Sequence, residues 1–148
     1  MMNEGQAKRY QQAEKLIKQE KWGSAGDILD PLVTETADPD ATRQLVRVLY
    51  KDHQYVQALS NVVEEPELFY QTEKFAKLAV KVMVQNQRFM LARLFIANGP
   101  AEWQQDLDKL VCDGEQIAQT KYQQTIQQRL KIFYHLGDGD LLEQRQRL

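Results

Sequence analysis

Reactive side chains are scarce in this chain of 148 residues, which holds one cysteine, Cys112, and two histidines, His53 and His135. One cysteine rules out a disulfide framework within the chain and fits a reducing compartment. Together with two distant histidines it cannot assemble a zinc set either, so no metal site is expected. Long apolar runs are missing too. Nothing approaches the ~20 residues that span a bilayer, and Met1-Met2-Asn3-Glu4-Gly5-Gln6 has no signal-like apolar core. A cytoplasmic protein without membrane association is the reading. No glycine-rich phosphate cradle and no Gly-x-Ser-x-Gly elbow occur. Gly137-Asp138-Gly139-Asp140 opens like a calcium loop but lacks the later oxygen ligands and closing glutamate, so it reads as a turn. The two histidines fall at or near turns, and Cys112 follows Leu110 and Val111 as a small buried residue. No enzyme, no cofactor and no catalytic residue is expected.

What the chain does have is a register. An aromatic followed three positions later by alanine occurs as Trp22/Ala25, Tyr55/Ala58 and Phe89/Ala92, at intervals of 33 and 34 residues. Six residues before each aromatic stand Leu16, Leu49 and Met83; nine before stand Ala13, Val46 and Val80; seven after stand Leu29, Val62 and Ile96. Such a period marks stacked helical hairpins, whose single units cannot bury their apolar stripes alone. The valines are scattered through helical spacings rather than alternating, so no strand is expected.

Helix A of the first unit is expected over about 3–20, with Ser24 capping a helix B that Pro31 breaks or kinks. Asp38-Pro39-Asp40 opens the second unit and Glu65-Pro66 ends it. The third unit has a long helix A, roughly 67–85, and a helix B over 88–97. That second helix is apolar nearly all round, so it should be the most buried of the chain. After Asn98-Gly99-Pro100 the register fails. A short helix should end near Asp113-Gly114, followed by a longer one through Tyr122, Ile126, Leu130, Phe133 and Leu136. The chain then stops in half a hairpin. Either it is the N-terminal part of a longer repeat protein, or Leu141, Leu142 and Leu148 fold back on the preceding helix.

The register and its residues resemble the tetratricopeptide family over about 6–99. The family's helix-A glycine is replaced by Ala13, Val46 and Val80, and its tryptophan by Arg9, Thr42 and Ala76. The resemblance implies an all-α, right-handed superhelical stack of antiparallel helix pairs, an α-solenoid of about three repeats plus a C-terminal helical extension. The whole, 1–148, reads as one domain: repeat 1 about 3–37, repeat 2 about 38–65, repeat 3 about 66–99 and divergent helices over 100–148.

Net charge is −2, but its distribution is uneven. Residues 1–40 carry five basic and eight acidic side chains, residues 41–100 eight and five, residues 101–148 six and eight. The centre is electropositive between two acidic ends. By resemblance to the family, concave positions lie 5, 8, 12 and 15 residues before each aromatic. They are Ile17, Glu14, Tyr10 and Ala7, then Tyr50, Arg47, Arg43 and Asp40, then Val84, Lys81, Lys77 and Lys74. The expected partner-binding residues are therefore Tyr10, Arg43, Arg47, Tyr50, Lys74, Lys77 and Lys81. Such a surface suits an acidic peptide or protein segment, since guanidinium groups grip carboxylates in bidentate pairs. The family's carboxylate clamp is not fulfilled: its lysine and asparagine of the first A helix are Tyr10 and Glu14 here, and only Lys77 and Lys81 match the third. The alternatives are a nucleic-acid-associated regulatory protein using the same stripe, against which the acidic pI of about 5.7 counts, and a structural module that self-associates through its C-terminal end.

Overall fold

Three of the inter-helix turns share one backbone design. Glu20, His53 and Gln87, each two residues before its aromatic, adopt positive φ of 58°, 60° and 57°. The next residue then donates back to the carbonyl of the apolar residue five positions earlier: Lys21 to Leu16 at 2.9 Å, Gln54 to Leu49 at 2.8 Å and Arg88 to Met83 at 2.8 Å. The positive-φ residue itself donates to Ile17, Tyr50 and Val84 respectively. This is the Schellman closure, which satisfies carbonyls that a helix end leaves without donors. It recurs without a glycine.

The computed structural model describes residues 2–136. Helices α1 (Glu4–Lys18), α2 (Trp22–Thr36), α3 (Pro39–Lys51), α4 (Tyr55–Glu64), α5 (Glu73–Gln85), α6 (Phe89–Ala97) and α7 (Gln104–Leu136) pack on their neighbours in sequence, and α7 lies against both α5 and α6. No strand occurs among the described residues. The fold is all-helical. Asn3 and Gln6 form a capping box at the start of α1, Asp38 caps α3 with Pro39 in its first turn, and Thr72 caps α5. The core runs along the stack through Ala13, Leu29, Val46, Val62, Phe69, Val80, Ala92 and Val111, all at most 1% exposed. Trp22 and Phe89 are half-buried against it, and Tyr55 is half-buried with its ring 5.5 Å from that of Tyr50.

Several local readings are corrected. Pro31 breaks nothing: α2 is continuous through it. Asp27 and Pro31 both lie on the exposed side, where solvent reaches the carbonyl left without its donor. Ser24 caps nothing, because the Schellman closure lets α2 begin at Trp22. The long helix expected over 67–85 is divided. Pro66–Tyr70 form a 3-10 segment that buries Phe69 and stacks Tyr70 on Phe95, with centroids 4.3 Å apart, before α5 begins at Glu73. Helix α6 is not the most buried. Ala92, Phe95 and Ile96 face inward, but Met90 is 79% and Leu94 62% exposed, because only one side of α6 meets α5 and α7.

The largest correction concerns Gly114, which ends no helix. Helix α7 runs unbroken for 33 residues, and a β-carbon at Gly114 would stand 2.2 Å from Val84 Cγ1. The glycine serves close approach of α7 to α5 rather than a stop. Cys112, one position beyond buried Val111, is exposed instead of buried. The readings for Gly137-Asp138-Gly139-Asp140, Leu141, Leu142 and Leu148 lie outside the described residues.

Candidate functional site

Helical spacing brings one set of basic residues together. On α3, Arg47, Tyr50 and Lys51 lie at i, i+3 and i+4; on α5, Lys74, Lys77, Leu78 and Lys81 lie at i, i+3, i+4 and i+7. Each set occupies one face of its helix. The two faces bound a cleft of about 240 Å³ lined by Arg47, Tyr50, Lys51, Lys74, Phe75, Lys77, Leu78 and Lys81. Its rim carries five cations and no carboxylate, and its floor is Tyr50, Phe75 and Leu78.

Five of the seven residues expected from sequence therefore line this cleft: Arg47, Tyr50, Lys74, Lys77 and Lys81. Arg43 does not present a charge there, being 5% exposed. Its guanidinium donates to the Leu68 carbonyl at 3.1 Å and to Asp40 at 2.5 Å, and it lies 5.5 Å from the centre of the Phe75 ring. It braces the cleft floor from behind. The 3-10 segment, which no periodicity marks, supplies the carbonyl that draws Arg43 inward. Tyr10 is also outside the cleft. It sits half-buried, and its phenol is pushed up to about 12, chiefly by burial and then by the charges of Glu14, Asp40 and Asp38. Its surroundings are acidic.

Lys51, Phe75 and Leu78 were missed by the column rule. Lys51 and Leu78 could have been found from spacing, four residues after Arg47 and Lys74 respectively. Phe75 is held over Arg43, and its sequence signal is that of a core residue.

The cations are little engaged. Lys77 reaches Glu73 at 3.7 Å within its own helix, and Arg47 donates to Gln44 at 3.5 Å. Among the described residues no ion pair involves Lys51, Lys74 or Lys81. Five neighbouring like charges raise the local positive potential and favour an incoming anion. Burial raises the Tyr50 pKa, the Tyr55 phenol adds to the rise, and nearby Gln85 offsets part of it. The Tyr50 hydroxyl is thus neutral at physiological pH and able to donate to an acceptor in the cleft.

Among the described residues no group of three or more His, Cys, Asp or Glu side chains is placed to hold a metal ion. His53 Nδ1 lies 2.6 Å from the Tyr55 hydroxyl on the surface. No described helix is long and apolar enough to cross a membrane. Comparison of the chain with protein-family models, with curated proteins and with solved structures finds no match.

Proposed function

We propose that this protein is a non-enzymatic, cytoplasmic binding module of the tetratricopeptide-like type, and that its α3/α5 cleft takes an acidic segment of a protein partner. The recurrence of one turn geometry at Glu20, His53 and Gln87 supports the repeat assignment and, with it, the right-handed superhelical stack. The observation that carries the functional reading is the cleft's composition: five cations around an aromatic and aliphatic floor, with no carboxylate in the lining.

Size separates a peptide from a small-molecule ligand. A volume of about 240 Å³ falls below the roughly 300–1,000 Å³ of pockets that enclose whole ligands. It suits one or two side chains of an extended segment, an apolar residue on the Tyr50–Leu78 floor with aspartates or glutamates on either side. Each exposed ion pair would contribute only about 0–1 kcal/mol, so affinity comes from several pairs together with the buried anchor. The test is titration of the protein with glutamate- and aspartate-rich peptides, with and without a central leucine or phenylalanine, followed by fluorescence anisotropy. Binding that needs both acid and anchor, and that weakens as salt rises, is the expected result. Retention on heparin with no peptide binding would transfer the cleft to phosphate ligands instead.

A further inference from the structure

The second half of α7 carries a surface with no counterpart among the described residues. Every residue from 119 to 133 is exposed, yet Tyr122, Ile126, Leu130 and Phe133 repeat at intervals of four, four and three along one face. An isolated helix of this length is marginal in water, so a stripe of this kind calls for a packing partner. Its charge is one-sided. From 116 to 136 there is no aspartate or glutamate, while Lys121, Arg129 and Lys131 are present.

Across the stack, on the side of α3 away from the basic cleft, α2 and α4 bound two adjoining hollows that share Asp30. They extend along α2 from Trp22 to Ala37, with Trp22, Val48 and Leu49 among their apolar lining residues. Their acidic lining is Asp27, Asp30, Asp52, Glu64 and Glu65, and no lysine or arginine belongs to it.

We propose that residues 119–133 of α7 dock in the α2/α4 groove of a second copy of this chain. Helix α2 offers 15 residues, about 22 Å of helix, for the segment to lie along. Charge agrees, since the cations Lys121, Arg129 and Lys131 meet a groove lined by five carboxylates and no lysine or arginine. The groove cannot be the segment's own. Helix α7 is continuous from its packing on α5 and α6 and holds residues 119–133 clear of the body. Pairing of two α7 stripes with each other would set like charges side by side. Three cations also fall short of the four to eight that mark a lipid-binding basic cluster. The contact is heterologous, so assembly proceeds head to tail and either closes into a ring or extends.

The test uses the full chain and two double variants, K121E/R129E in the tail and D27K/D30K in the groove, all four positions being exposed. Light scattering across a concentration series should show wild-type mass rising with concentration and falling with salt, and each variant alone monomeric. Mixing the two variants should restore association in one-to-one ratio, because the native tail of one meets the native groove of the other and the acidic tail meets the basic groove. A symmetric α7 pairing would leave the groove variant associating normally on its own, which overturns the proposal. A wild-type protein monomeric at every concentration overturns it too. None of these positions lines the basic cleft, so failure here leaves the peptide-binding test unaffected.

Discussion

Gly114 and Val84 meet where α7 crosses α5, and there is no room for a β-carbon between them: the nearest Val84 carbon would be 2.2 Å away. Replacing Gly114 with alanine sets two effects against each other. Alanine improves helix propensity by about 1 kcal/mol, while forcing an extra carbon into a packed contact costs about 1–3 kcal/mol. Overlap with a branched, half-buried valine puts the cost at the upper end. G114A is therefore expected to lower the urea midpoint, and V84A/G114A to recover part of the loss by removing the clashing carbon. Additive single effects in that cycle would argue against the contact.

Arg43 should behave as a structural residue and not as a ligand-binding one. Its truncation to alanine leaves the Leu68 carbonyl without its donor and removes the group behind Phe75. Leaving a fully buried acceptor unpaired costs about 1–3 kcal/mol, and the part-buried Leu68 carbonyl puts R43A toward the lower end of that range in chemical denaturation. Lysine should not restore it, because one ammonium cannot span Asp40 and Leu68 as the planar guanidinium does. A stability loss in R43A with peptide affinity kept in the folded fraction would confirm the division of roles.

Arg43 also shows where reading the sequence stops. Column positions place it beside Arg47, and nothing local says that one guanidinium turns in and the other out. The difference comes from Leu68, twenty-five residues away, in a 3-10 segment that has no period to read. Gly114 is a similar case. A glycine after Val111-Cys112-Asp113 carries the usual signal of a helix end, and only contact with Val84 reveals the other use. By contrast, the pairing of α1 with α2, α3 with α4 and α5 with α6 was legible, because the same apolar columns recur around Trp22, Tyr55 and Phe89. The cleft was legible to the extent that Arg47, Tyr50, Lys74, Lys77 and Lys81 follow those columns.

The turn at Gln87 holds an L-residue at φ 57°. A side chain there costs about 1–2 kcal/mol relative to the right-handed region, and glycine gives back roughly 0.5–1 kcal/mol in chain entropy. Q87G should therefore stabilise the protein by about 0.5–1 kcal/mol. The gain would appear as a higher denaturation midpoint at unchanged slope. A loss in Q87G would mean that the Gln87 side chain makes contacts that outweigh its backbone conformation.

Tyr10 gives the fold an alkaline sensitivity. Its pKa in the folded chain is about 12 against an ordinary value of 10.0. Between those values the unfolded chain gives up the phenolic proton that the folded chain keeps, so stability falls as pH rises through the window. Below it the Tyr10 contribution is constant. Against Y10F, wild-type stability should run parallel up to the ordinary tyrosine range and then decline more steeply. Parallel curves throughout would place Tyr10 in water.

The cleft is best tested by reversing charge on both of its walls. Arg47 lies on α3 and Lys81 on α5, and neither takes part in an ion pair among the described residues, so R47E/K81E removes two cations with little structural consequence. Lys77 is the poorer choice, since a glutamate there would face Glu73 one turn away and perturb the helix itself. Two reversals should cost an acidic peptide about 1.4 kcal/mol or more, a tenfold or greater loss of affinity. The loss should shrink as salt is raised, while the melting temperature stays close to wild type. A peptide with lysines in place of its acids should then bind the reversed cleft better than the native one. That exchange separates electrostatic recognition from general damage. If the basic peptide gains nothing and the acidic one loses nothing, the cations are an ordinary solvated face and the partner binds elsewhere.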